Sequence, residues 1–168
     1  MNDAPATSVV CDAGPLIHLD QIDCLDLLAD FSRVIVPSVV WSEVDQHRPH
    51  ALRQSGVKFE RAKPSAGPSV ELASLCRLLS LHAGEIQALQ IAQEFRAGPF
   101  LTDDTAARLA ANQLKISAHG TLGILLRAIR RKQRTSEQIL EVLHALPARS
   151  TLHVKRELLT EIIRQVEN

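Results

Sequence analysis

The sequence predicts an α/β fold, with a central parallel sheet covered by helices on both faces and further helices at the C-terminal end. Three observations predict it. Short apolar runs rich in β-branched residues (SVVC, RVIVP, PFLT) alternate with longer stretches whose apolar residues recur at helical spacing. The strand-like runs are separated by segments long enough for a helix, and parallel strands need such crossovers, which are almost always helical and right-handed. The chain has 168 residues, 45% of them hydrophobic and 23% charged, the size and balance of one domain able to bury its own core.

SVVC reads as the first strand and ends at Asp12-Ala13-Gly14-Pro15, a turn in which the proline opens a helix. Leu16, Ile17, Leu19, Ile22, Leu25, Leu27 and Leu28 continue that helical spacing to Asp30. RVIVP is a second buried strand, after which Ser38 is expected to cap a helix running through Val40, Trp41 and Val44 towards Pro49. A weaker strand is expected in GVKFERAK, and KPSAGPS (63–69) is the best loop and the expected place for mobility. Leu72 to Leu81 and then GEIQALQIAQEF read as helices, the second ended by Ala97-Gly98-Pro99. PFLT is a strand, and Asp103 and Asp104 open the helix TAARLAANQL. LKISA is a last strand, leading through His119-Gly120-Thr121 to the helix LGILLRAIRRKQR. Residues 1–134 are expected to form the sheet-bearing domain. Residues 135–168 are expected to form an extension of two amphipathic helices, packed on the domain or on a partner.

Composition narrows the function classes. Nineteen basic residues balance nineteen acidic ones, so no global field draws the chain to nucleic acid or to an anionic membrane. Four Phe, one Trp and no Tyr argue against an aromatic platform that stacks bases. Cys11, Cys24 and Cys76 are odd in number and widely spaced in apolar surroundings, which suits reduced thiols and not a disulfide framework or a zinc knuckle. No apolar run approaches the ~20 residues of a membrane helix, and MNDAPATSVV lacks the features of a signal peptide. A cytoplasmic protein without a membrane partner is the expectation. No Gly-rich phosphate loop, GxSxG elbow or GxGxxG fingerprint is present.

Ligands of open α/β sheets bind beyond the carboxyl ends of the strands, and there this sequence concentrates acids. Asp12 follows the first strand, Asp103 and Asp104 follow PFLT, Glu43 lies one turn into the helix after RVIVP, and Glu85 starts its own helix. Carboxylates ~4 Å apart repel by about 4 kcal/mol per pair at an effective dielectric of ~20, so such a cluster takes up protons or binds cations. Oxygen-only ligands favour Mg²⁺ or Mn²⁺, and a metal so held suits phosphodiester cleavage. Helix capping alone also accounts for acids at Asp12, Glu85, Asp103 and Asp104.

The segments DAGPLI, IVPSVVWSEV, GEIQALQIA, FLTDDTAARLAA and ISAHGTLGILL, in this order from Val9 to Leu126, resemble a PIN domain, most closely the VapC-type toxins of toxin–antitoxin pairs. The resemblance implies a three-layer α/β/α sandwich and Mg²⁺- or Mn²⁺-dependent endoribonuclease activity. It implies an RNA substrate and an antitoxin protein as partner. Asp12 matches the first family acid, Glu43 in VxxE the second and Asp104 in TxD the fourth, with Asp103 the close second candidate. Glu85 stands where the family usually has Asp, one methylene shorter, and Ala13 and Gly14 stand where many relatives carry a hydroxyl beside the first acid. The other reading is a catalytically weak PIN-like module that acts through protein partners.

Further residues compete for a role. Arg127, Arg130, Arg131 and Arg134 fall at i, i+3, i+4 and i+7, a basic stripe that either binds an RNA backbone or is a solvated face favoured by the helix dipole. Thr121 is placed either to touch a phosphate or to cap the following helix. Glu43, His47 and His50 have zinc-like spacing, but Pro49 ends the helix before His50 aligns. His18, His82, His144 and His153 read as incidental, and the apolar residues of the tail suggest a homodimer.

Overall fold

The computed structural model describes residues 7–54, 56–96 and 98–168. The reading of the first six residues and the placement of Ala97 at a helix end lie outside them. Five strands, β1 (Ser8–Cys11), β2 (Arg33–Pro37), β3 (Phe59–Ala62), β4 (Phe100–Leu101) and β5 (Ala118–His119), form one sheet in the order β3-β2-β1-β4-β5. Every pairing is parallel. Because side chains alternate across a strand, Val9 and Cys11 face one layer of helices and Val10 the other, as do Val34 and Val36 against Ile35. Both faces are therefore buried, which is why the strands read as continuous apolar runs.

One layer is built from α1 (Ala13–Gln21), α2 (Ser38–His47), α6 (Thr121–Arg130), α7 (Ser136–Arg149) and α8 (Arg156–Glu167), and the other from α3 (Val70–Leu79), α4 (Ala83–Phe95) and α5 (Thr105–Gln113). This is the three-layer α/β/α sandwich with C-terminal helices. Ile139, Leu143 and Leu146 of α7 and Leu159 and Ile162 of α8 belong to the same buried cluster as Val9, Leu16 and Val34. Truncating Leu143, which has no exposed surface, is therefore expected to cost about 2–5 kcal/mol. Leu143→Ala is expected to shift one cooperative thermal transition of the whole chain. A separate melting step for the tail would show that the extension is not part of this core.

Several boundaries differ from the sequence reading, each for a local reason. The first helix does not run to Asp30. It stops at Gln21 because Asp23 takes a left-handed conformation, with Asp23 N–H donating to Asp20 O and Cys24 N–H to Leu19 O, the Schellman pattern. A short 3₁₀ helix over Leu25–Asp30 follows. The same device at Lys132, with Gln133 N–H donating to Ala128 O, ends α6 and takes Arg134 off the basic stripe. Ser38 is not a cap: Pro37 occupies that position, and the Ser38 hydroxyl instead accepts from Arg61. The 63–69 loop lacks regular structure but is tethered, Ser65 N–H donating to the Glu94 carboxylate and buried Gln90 to Ala66 O.

The chain runs from β1 outward through β2 to β3 and then returns to place β4 and β5 on the other side of β1. The β1/β4 junction is therefore the point where strand order reverses, the usual site of a ligand crevice.

Candidate active site

Asp12 leaves the end of β1 and Thr102-Asp103-Asp104 leave the end of β4, held together by Asp12 N–H donating to Leu101 O at 2.9 Å. A cleft of about 360 Å³ opens there, walled by Asp12, Glu43, Glu85, Asp103 and Asp104. All five acids named from the sequence meet in it. Among the described residues, no Lys or Arg lies within 4 Å of any of the five carboxylates.

The acids are not equivalent. Asp12 is 7% exposed. Its Oδ1 accepts from Ala13 N–H at 2.9 Å and its Oδ2 from the Thr102 hydroxyl at 3.1 Å. Burial pushes its pKa up to about 6, aided by the negative charges of Glu85 and Glu43 and opposed by those two hydrogen bonds. Glu43 is exposed, and neither of its carboxylate oxygens has a hydrogen-bond donor among the described residues. A methyl group on Gly84 would lie 3.8 Å from Asp12 Oδ1 and 4.0 Å from Glu43 Oε2, so these two carboxylates flank the glycine.

Glu85 and Asp104 double as helix caps. Glu85 Oε2 accepts from His82 N–H at 2.7 Å, closing a capping box at the start of α4. Asp104 Oδ1 accepts from Ala107 N–H at 2.7 Å at the start of α5. With these carboxylates turned to their own helices, no group of three or more Asp, Glu, His or Cys among the described residues stands ready-made around a single metal position.

Asp103 is the most engaged of the five. Its Oδ1 accepts from Thr121 N–H at 2.7 Å, and its Oδ2 accepts from the Thr121 hydroxyl at 2.6 Å and lies 2.7 Å from His18 Nδ1. Burial works to raise its pKa, but the hydrogen bonds from His18 and Thr121 outweigh it and the net shift is downward. Asp103 thus caps α6 from a distance and ties it to α1. The sequence reading of Thr121 as a phosphate contact is corrected here, because Thr121 has no exposed surface and both its donors are spent on Asp103.

The basic stripe is also rearranged. Arg127 and Arg131 both pair with Asp30, Arg127 lies over the Phe31 ring at 4.3 Å, and Arg134 pairs with Asp26. Three of the four arginines thus bind the helical layer together, and Arg130 is the one left exposed without an ion pair among the described residues. Cys11 and Cys24 are buried and reduced, burial pushing both thiols up, Cys24 to about 11. His47 bonds to Glu43 O within α2, which ends before His50, so the zinc-like spacing forms no site.

Sequence reading missed two contributors. His18 was set aside, yet it stands one helical turn after Gly14, and that spacing puts both against Asp103. Thr102 orients two acids with one hydroxyl, donating to Asp12 and accepting from Asp104 N–H at 3.2 Å. The strand-end position of Thr102 in TxD was its available signal.

Comparison with known proteins bears on the fold and the family. A PilT N-terminus domain protein from the archaeon Sulfolobus solfataricus P2 shares the fold, with a TM-score of 0.55 and 16% identity over 73% of this chain and 93% of that one. No curated protein matches the chain at a significant level. No helix among the described residues is long and apolar enough to cross a membrane. The family model DUF3368, described as a PIN domain, matches residues 8–168, and the chain therefore belongs to the PIN-domain family.

Proposed function

We propose that the protein is an Mg²⁺- or Mn²⁺-dependent endoribonuclease whose ion is held by Asp12, Glu43, Glu85 and Asp104. The observation that carries this reading is the convergence of these carboxylates on one cleft with no Lys or Arg among the described residues within 4 Å to neutralise them. The donor set fits such an ion: it is all oxygen, and Asp12 is buried beside two negative neighbours that a divalent cation would relieve. Three of the four acids keep a carboxylate oxygen free of donors among the described residues, since Glu43 has none, Asp104 uses only Oδ1 and Glu85 only Oε2, while each oxygen of Asp12 already accepts one hydrogen bond. A divalent ion bound there supplies Lewis acidity that lowers the pKa of water and offsets charge on a phosphodiester.

The chain's own part is positioning. Thr102 and the start of α1 fix both oxygens of Asp12, while Asp103, His18 and Thr121 lock the cleft's floor to α1 and α6. Asp103 is therefore assigned to support, not to the ion. One observation favours the second reading, a weak or inactive module acting through protein partners: Glu85 and Asp104 are already occupied as caps. The toxin role, an antitoxin partner and a homodimer are further proposals, the first two supported by the sequence resemblance and the third by exposed Leu158 on α8.

The deciding experiment incubates the purified chain with single-stranded RNA in Mg²⁺, in Mn²⁺ and in excess chelator. Cleavage with metal that stops in chelator is expected. Cleavage that persists in chelator, or none with either metal, contradicts the proposal, and the second outcome favours the binding module.

A further inference from the structure

The acidic cleft continues into a second cavity of about 430 Å³, and the two share Asp103, Leu152 and His153 as a common wall. This second cavity is also lined by Arg108 and Lys155. We propose that Arg108, His153 and Lys155 form a phosphate-binding subsite that holds the backbone of single-stranded RNA beside the acidic cleft. The 150–155 strap of the C-terminal extension then belongs to the substrate surface. This inference rests on the nuclease reading.

The strap is a built element. Gln21 Oε1 accepts from the Ser150 hydroxyl at 3.0 Å, from Thr151 N–H at 2.8 Å and from the Thr151 hydroxyl at 3.2 Å, fixing the strap to the end of α1. Beyond that anchor the residues alternate as in an extended segment. Leu152 and Val154 pack against the core, while His153 and Lys155 are exposed.

Arg108 reaches the same cavity from α5, its Nη2 donating to Thr102 O at 3.2 Å. Gly120 makes room for it, since a Cβ there would lie 2.7 Å from Nη2 and 2.6 Å from Asp103 Oδ1. Neither Arg108 nor Lys155 forms an ion pair among the described residues, whereas Arg127, Arg131, Arg134 and Arg149 are all paired with aspartates. Arg108 keeps donors beyond the one it gives to Thr102 O, so Arg108 and Lys155 can meet a phosphate at this cavity without breaking an ion pair among the described residues. A cation-seeking cleft adjoining a cation-bearing wall matches a polyanion that presents successive phosphates to both. The scarcity of aromatics leaves backbone contact as the means of holding the strand.

The test measures binding of a labelled oligouridylate by fluorescence anisotropy at several salt concentrations, in chelator. It uses full-length protein carrying Asp12→Asn, so that cleavage cannot intervene. Adding Arg108→Gln and Lys155→Gln is expected to weaken binding roughly tenfold at low salt. The slope of log K against log salt should fall in magnitude by about 1.4, at about 0.7 per lost contact. Arg108→Lys with Lys155→Arg should restore most of the slope. Circular dichroism should be unchanged, as all the substituted cations are exposed. Equal affinity and slope with and without the substitutions overturns the inference, as does absence of oligouridylate binding or equal competition by polyglutamate. Metal-dependent cleavage by the wild-type chain is read separately, so an unchanged slope alongside cleavage removes the subsite and leaves the nuclease.

Discussion

Asp12→Asn is expected to abolish RNA cleavage and, in metal-free buffer at neutral pH, to make the fold more stable than the wild type. The folded chain holds the Asp12 proton more tightly than the unfolded chain does, its pKa being about 6 against an ordinary 3.8. Wild-type stability should therefore fall as pH rises from about 4 through about 6 and then level off, a loss on the order of 2–3 kcal/mol from this group. Asparagine keeps the acceptor for Ala13 N–H and carries no charge to desolvate. It does leave the Thr102 hydroxyl proton without its acceptor, which offsets part of the gain. The difference between the two melting curves should grow across that pH window. Added Mn²⁺ should raise the wild-type midpoint through mass action and leave the variant's unchanged. A variant that still cleaves RNA, or one less stable than wild type at neutral pH, counts against the assignment of Asp12.

Asp103→Ala is expected to be the most destabilising substitution in the cleft, at about 3–5 kcal/mol. It removes the acceptor for three donors and strands the fully buried Thr121 hydroxyl and N–H. Asp104→Ala, one residue on, removes an exposed cap and should cost about 1 kcal/mol. The folded-state pKa of Asp103 is depressed, so the stability it contributes is present above its unfolded pKa and is lost as pH falls through the folded value. The gap between wild type and Asp103→Ala should accordingly narrow in acid. Equal costs for the two alanine variants would mean that Asp103 is not the tie between α1 and α6.

Much of this was legible in the sequence because strand ends and apolar runs are local signals. SVVC, RVIVP and PFLT lie at or within one residue of β1, β2 and β4. The acids that follow them converge because parallel strands all point their carboxyl ends one way. What the sequence hid was pairing at a distance. Nothing near His18 announces Asp103, 85 residues later, and nothing in the arginine stripe announces Asp30 and Asp26. Helix ends at Asp23 and Lys132 were missed because their left-handed residues are not glycines. The strap was read only as part of the helical extension over 135–168, since its contacts with Gln21 and with the cleft depend on how α7 docks.

The central claim, that acids from separate elements jointly bind a divalent cation, is tested most directly by calorimetric titration of Mn²⁺ into the metal-free chain and into Glu43→Gln. Glu43 is exposed and its carboxylate has no hydrogen-bond partner among the described residues, so its charge can be removed without loss of stability. Saturable binding to the wild type, sharply weakened in Glu43→Gln at an unchanged melting temperature, is the result expected. No saturable heat from the wild type at millimolar Mn²⁺, or identical isotherms for the two proteins, would contradict it.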